Sequence, residues 1–242
     1  MTDAELAAHL AETAGQLALA VRGAGVLEGK ALGDAGDATA NQFLVAALRH
    51  QRPGDGLLSE ESKDTAERLI KSRVWIVDPI DGTREYGEAR MDWAVHVALS
   101  VDGVASVGAV ALPGLGLVLR SDQLQPVPPA AHPLRMVVSR TRPAAEAVTL
   151  AKVLGAELIP MGSAGAKAMA VVRGEADIYF HSGGQYEWDS CAPVAVALAH
   201  GLHCSRIDGS PLVYNQADTS MPDLLICRAD LAAQMLELIR IL

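Results

Sequence analysis

Leu6, Leu10, Ala14, Leu17 and Val21 recur at spacings of three and four behind Thr2 and Asp3. That period predicts an amphipathic helix over 3–22, capped by one of those two residues. Asn41 to His50 repeats the pattern, and Arg52-Pro53-Gly54-Asp55-Gly56 closes it with turn chemistry before the short apolar Leu57-Leu58. A second helix thus feeds a strand. Val74-Trp75-Ile76-Val77 is a β-branched and aromatic run stopping at Asp78-Pro79, and Trp93 to Ser100 reads as another strand. The most apolar stretch, Val104 to Leu119, is broken by Gly108, Pro113, Gly114 and Gly116. It is too short and too interrupted to cross a bilayer, and predicts a buried hairpin.

Between Ser121 and Pro133 the chain turns to Gln, Pro and Ala (SDQLQPVPPAAHP), which suits an extended connection. We expect one domain over 1–242, divided there into lobes of 1–125 and 134–242. The second lobe offers a strand at Leu134 to Ser139, a helix around Pro143 to Leu154, a short strand at Glu157 to Met161 and a helix from Ser163 to Arg173 ended by Gly174. A last helix is expected from Asp189 to Ala199, with Asp189 or Ser190 as cap, Pro193 in the first turn and Gly201 beyond its end. Helices followed by sheet, then alternation, predict a layered α/β (α+β) fold.

Half of the 242 residues are apolar and 20% are charged, so the chain has enough hydrophobic material to fold. The net charge of −9 and the lack of any basic run exclude a binder of the nucleic-acid backbone. An acidic protein still binds a phosphorylated metabolite when its carboxylates hold divalent cations. The 3 cysteines, Cys191, Cys204 and Cys227, show neither CxxC nor His-paired spacing, so no disulfide framework or zinc site is expected. Cys191 reads as a packing residue. The acidic, amphipathic MTDAELAAHLAE lacks the basic and then apolar order of a secretory signal, which predicts a cytoplasmic protein. The 7 histidines have no HExxH spacing and are assigned no chemistry; Walker A, GxGxxG and EF-hand patterns are absent.

The candidate chemistry lies in acids at strand ends. Asp78-Pro79-Ile80-Asp81-Gly82-Thr83 places two carboxylates at the end of an apolar strand, with proline fixing φ and glycine permitting a tight turn. Such oxygens either converge on a hard cation, which also accepts substrate phosphate, or merely shape a turn. Backbone N–H groups of Gly82 and Thr83 at a helix start would favour an anion. Leu58-Ser59-Glu60-Glu61-Ser62 is equally consistent with solvated loop charges, and Asp189 in Tyr186-Glu187-Trp188-Asp189 with a helix cap.

Taken together, the WIVDPIDGT block, the GSAGAK segment and the later WDSCAP resemble the signature of the inositol-monophosphatase-like superfamily, across nearly the whole chain. Glu60-Glu61 and Asp37, in Gly36-Asp37-Ala38-Thr39-Ala40-Asn41, also fall where that pattern expects them. The resemblance implies a sugar-phosphatase-like αβαβα sandwich with the site between the lobes, and a metal-dependent phosphatase holding two or three Mg2+. It assigns Glu60, Asp78 and the Ile80 carbonyl to a first ion, and Asp78, Asp81 and Asp189 to a second. Asp37 and Thr83 would orient and deprotonate the attacking water, with Glu61 beside them. Gly82, Thr83 and Arg84 would contact the transferred phosphate, and Glu60, Asp81, Ser163 and Asp189 would also face substrate. A homodimer and inhibition by lithium are implied as well.

Within the superfamily, Val138-Ser139-Arg140-Thr141, Gly162 to Lys167 and Gly184 to Asp189 look most like the CysQ-type 3'(2'),5'-bisphosphate nucleotidases of sulfur assimilation. They imply 3'-phosphoadenosine 5'-phosphate, or its 5'-phosphosulfate form, as substrate, with Ser139, Arg140 and Lys167 near its second phosphate. Inositol and fructose 1,6-bisphosphate phosphatases of the same mechanism are the alternative, followed by an inactive metabolite-binding regulator. Ser182 stands where inositol phosphatases carry a glutamate for sugar hydroxyls.

Overall fold

The computed structural model describes residues 1–241. In chain order they form α1 (Asp3–Gly23), α2 (Gly29–Gln51), β1 (Gly56–Ser59), β2 (Arg73–Asp81), α3 (Thr83–Gly87), β3 (Ala94–Val101), β4 (Val104–Leu112) and β5 (Leu117–Arg120). There follow β6 (Arg135–Ser139), α4 (Ala145–Leu154), β7 (Glu157–Met161), α5 (Ala164–Val172), β8 (Ile178–His181), β9 (Gln185–Tyr186) and α6 (Glu187–Ala199). The chain closes with β10 (Leu202–Ser205), β11 (Ser220–Met221), β12 (Leu224–Arg228) and α7 (Ala232–Ile241).

One sheet has the order β1-β2-β3-β4-β5, parallel only at its β1–β2 pair, and a second has the order β10-β12-β8-β6-β7. Strand alternation sends Trp75 and Val77 into a core with α1 and α2, while Val74 and Ile76 enter a second core with α5 and α6. That second core also takes Val137, Tyr179, Leu224 and Ile226 from the other sheet, whose outer face packs Met136, Val138 and Leu225 against α4 and α7. The layers run helix, sheet, helix, sheet, helix, as the αβαβα expectation has it. With both faces of each sheet covered, central strands such as β2 read as continuous apolar runs.

Three local expectations change. The second helix begins at Gly29, not Asn41. Its first half, GKALGDAGDATA, carries glycines and aspartates that weaken helix propensity, and tertiary packing overrides them. A Cβ on Gly36 would lie 2.6 Å from Tyr86 Cε1 and 2.7 Å from Ile80 Cδ1, so a small residue lets α2 reach the end of β2. The helix expected from Asp189 starts at Glu187, with Tyr186 as cap. Pro193 therefore sits inside α6 and not in its first turn. The interval 121–134 holds no helix or strand.

Candidate active site

Asp78 and Asp81 would point to opposite faces of a regular strand, because their separation is odd. Pro79 supplies no ladder N–H, and the β2–β3 pairing slips between Asp78, opposite His96, and Asp81, opposite Ala94. This bulge lets both carboxylates turn the same way. Gly82 then adopts φ +89°, a conformation strained for other residues, and starts α3. From the far side α6 brings Asp189. One Asp189 oxygen accepts the Tyr186 N–H at 2.6 Å, so Asp189 is the third helical residue reaching back to the Tyr186 cap and not the cap itself, while a carboxylate oxygen still meets the cluster. Asp78, Asp81 and Asp189 each offer an oxygen within 4.8 Å of the others.

These acids repel one another. Burial and then the charges of Glu60, Asp81 and Asp189 push Asp78 well above the usual carboxylate range. Burial and the Asp189 charge raise Glu60 to about 7; the residue is exposed, yet its carboxylate end turns inward toward Asp78. Asp189 is raised to about 6 by burial and Asp81. Asp37, on α2, is raised to about 7 by burial, against the opposing Thr83 hydroxyl, with Glu61 and Glu60 adding repulsion. Asp81 alone moves down. Burial would raise it, but His96, the Ser163 hydroxyl and the Gly165 N–H outweigh that and hold it at about 2.

The residues suit a hard divalent cation. Asp78 Oδ1 and Asp37 Oδ1 are buried without a hydrogen-bond donor, and such oxygens are costly unless something positive faces them. Among the described residues no Lys, Arg or His forms an ion pair with Glu60, Asp78 or Asp189. Asp81 Oδ2 accepts from Ser163 Oγ (2.5 Å) and Gly165 N (2.6 Å), whereas Oδ1 takes only the Ala164 N–H (3.1 Å) and keeps a lone pair. The Thr83 hydroxyl donates to the Ile80 carbonyl at 3.1 Å. Glu61 is exposed, and its carbonyl accepts from Asn41 Nδ2 at 3.3 Å.

Asp81 and Asp189 also line a cavity of about 520 Å³. Its walls include Gly82, Arg84, Ser139, Arg140, Ser163 and Lys167, so the structure gathers most of the expected substrate-facing residues there. Their charges are already engaged. Arg140 binds Glu85 (2.7 Å) and Glu88 (2.6 Å), Arg84 binds Glu88 (2.9 Å), and buried Lys167 donates to the carbonyls of Gly162 and Ser163. Lys167 thus fixes the turn whose N–H groups hold Asp81.

Sequence reasoning missed His96. Fully buried on β3, its Nδ1 lies 2.9 Å from the Trp188 carbonyl and its Nε2 3.2 Å from Asp81 Oδ2. The ring bridges the strand bearing the first motif and the helix bearing Asp189. The available signal was one titratable residue inside the apolar run Ala94 to Leu99, beside the strand ending in Asp78.

The model of the inositol monophosphatase family matches residues 5–239. A 3'-phosphoadenosine 5'-phosphate phosphatase of Mycobacterium leprae is 51% identical, over 99% of this chain and 94% of its own. The 3'(2'),5'-bisphosphate nucleotidase CysQ of Escherichia coli K12 is 30% identical over 76% of this chain and 80% of its own. The crystal structure of CysQ from Bacteroides thetaiotaomicron superposes with a TM-score of 0.77 at 25% identity, covering 90% of this chain and 94% of that one.

Proposed function

This chain belongs to the inositol monophosphatase family, and on that premise we propose that it removes the 3'-phosphate of 3'-phosphoadenosine 5'-phosphate, leaving AMP and inorganic phosphate. The observation that carries a hydrolytic reading is the convergence of Asp78, Asp81 and Asp189, the last two of which line one cavity. Glu60, Asp78 and the Ile80 carbonyl would hold one Mg2+, and Asp78, Asp81 and Asp189 another, with two or three ions per site. When bound, these ions neutralise the ester dianion, make water acidic enough to attack near neutral pH and steady the departing oxygen.

The protein's own groups do the rest. Asp37 Oδ1, buried with no donor facing it, is a free acceptor for a proton passed on through Thr83. Thr83, whose hydroxyl donates to the Ile80 carbonyl, would turn its proton to Asp37 once that carbonyl holds an ion, leaving its oxygen free to accept from the attacking water and aim it at phosphorus, with Glu61 beside the pair. The N–H groups of Gly82 and Thr83 contact the phosphoryl group, while Arg84 stays paired with Glu88. A water O–P bond forms as the ribose O3'–P bond breaks, and no covalent enzyme intermediate is required. The lobes 1–125 and 134–242 supply the two walls of the site.

The nucleotide reading is supported by the name and 51% identity of the mycobacterial relative. No helix among the described residues is long and apolar enough to cross a membrane. A cytoplasmic homodimer working in sulfur assimilation completes the proposal.

The test is phosphate release from 3'-phosphoadenosine 5'-phosphate, inositol 1-phosphate and fructose 1,6-bisphosphate with Mg2+, with and without lithium. We expect the highest kcat/KM on the nucleotide and inhibition by lithium. A preference for either sugar ester would overturn the substrate, and silence on all three would overturn the enzyme.

A further inference from the structure

A bisphosphate substrate brings a second dianion, or a monoanion when that group is a sulfate ester, into a cavity whose metal-binding end serves only the phosphate being cleaved. That second group needs a counter-charge elsewhere on the wall. Four long cationic side chains line the cavity: Arg84, Arg140, Arg142 and Lys167. The first two are neutralised by Glu85 and Glu88, and the Lys167 ammonium is buried on two carbonyls. Moving any of these onto a substrate would strand a carboxylate or a pair of buried carbonyl oxygens.

Arg142 differs from all three. It is exposed and forms no ion pair among the described residues. Its backbone N–H donates to Ser139 Oγ at 3.3 Å, and Pro143 follows it, so the turn after β6 is fixed locally while the guanidinium stays uncommitted. His181 lines the same cavity, and its Nε2 lies 3.1 Å from the Gly184 carbonyl. Burial, opposed by that carbonyl, pushes His181 below its usual value, and the charges of Lys167 and Arg142 push it further down. Arg142 and His181 thus line one cavity, with the imidazole held on the Gly184 carbonyl and the guanidinium facing no acid among the described residues.

Resting on the phosphatase reading above, we infer that Arg142 is the specificity-determining residue that binds the non-reacting phosphate or sulfate of the nucleotide. The guanidinium offers a planar fork of donors that matches phosphate oxygens two at a time. Ser139 then acts through the turn it caps, and Arg140 through the clamp between β6 and α3, without either touching the anion.

The experiment compares kcat/KM for 3'-phosphoadenosine 5'-phosphate and for adenosine 3'-monophosphate, which lacks the second phosphate, in wild-type, Arg142→Ala, Arg142→Lys and Arg140→Ala proteins. Calorimetric binding of adenosine 5'-monophosphate, which keeps only that phosphate, is the second readout. We expect Arg142→Ala to lower the bisphosphate-to-monophosphate ratio by roughly 10- to 100-fold, the scale of a lost charge-assisted hydrogen bond, mostly through KM. Adenosine 5'-monophosphate should bind correspondingly less tightly, and Arg142→Lys should recover part of both losses. A ratio unchanged in Arg142→Ala, or lowered as much by Arg140→Ala, overturns the assignment while the phosphatase reading stands. A wild-type protein inactive on both adenosine esters overturns the two together.

Discussion

The acid cluster and the cationic wall of the adjoining cavity are built on opposite electrostatic plans. At the strand end, Asp78, Glu60, Asp189 and Asp37 are crowded until burial and mutual repulsion lift all four, and two of their oxygens face no donor. At the far wall, Arg84, Arg140 and Lys167 are each matched to an acid or a carbonyl, with one guanidinium left over. The first region crowds acidic groups whose repulsion a bound cation would relieve. The second is neutral scaffolding from which a single charge projects. Reaction chemistry and substrate choice are thereby separable, and each is breakable alone.

The largest break is Asp78→Asn. Losing a shared ligand should lower kcat/KM by roughly a thousandfold, the equivalent of several kcal/mol of transition-state stabilisation. Removing one of the crowded charges should meanwhile leave the metal-free protein at least as thermally stable as wild type. Near wild-type turnover would show that the cluster does not hold the catalytic ions.

The same crowding gives a pH signature. Asp37 and Glu60, at about 7, and Asp189, at about 6, keep their protons longer when folded than when unfolded. Stability of the metal-free protein should therefore fall as pH rises from about 4 through about 7, because the folded state binds more protons in that window. Asp81, held at about 2, contributes stability that is present above about pH 4 and lost only below it. Melting curves in chelator should show the decline, and Mg2+ should stabilise more at the upper end; a melting temperature flat across the range would contradict the repulsion.

The paired cations Lys167 and Arg140 should respond mainly through stability. Lys167→Met leaves the buried Gly162 and Ser163 carbonyls without their donor, so denaturant unfolding should show a loss of about 1–3 kcal/mol. The smallest effect belongs to Arg140→Ala, which breaks a partly exposed clamp and should cost under about 1 kcal/mol. A larger loss in the second than in the first would reverse the roles given to these two cations.

What the sequence disclosed follows the same division. Asp78 to Thr83 is legible because the bulge-forming proline, the turn glycine and both acids are neighbours in the chain. Asp189 is legible only as a cap or a ligand; the fold makes it the partner of the Tyr186 cap and sets one of its oxygens beside Asp78 and Asp81. The pairing of Arg140 with Glu85 and Glu88 joins segments far apart in sequence, so nothing local distinguishes it from Arg142. His96 was hidden in an apolar strand, since its importance comes from which acid and which carbonyl the packing sets against it. The glycine-rich half of α2 failed to read as helix for a related reason: its small residues are chosen for contact with the end of β2 and with α3, and not for helix propensity.

The most direct test of the central claim is phosphate release from 3'-phosphoadenosine 5'-phosphate by protein stripped with chelator and then titrated with Mg2+. The account predicts no turnover in chelator and its return as Mg2+ saturates the acid cluster, with the Asp78→Asn protein silent throughout. Release that persists without a divalent ion would contradict it.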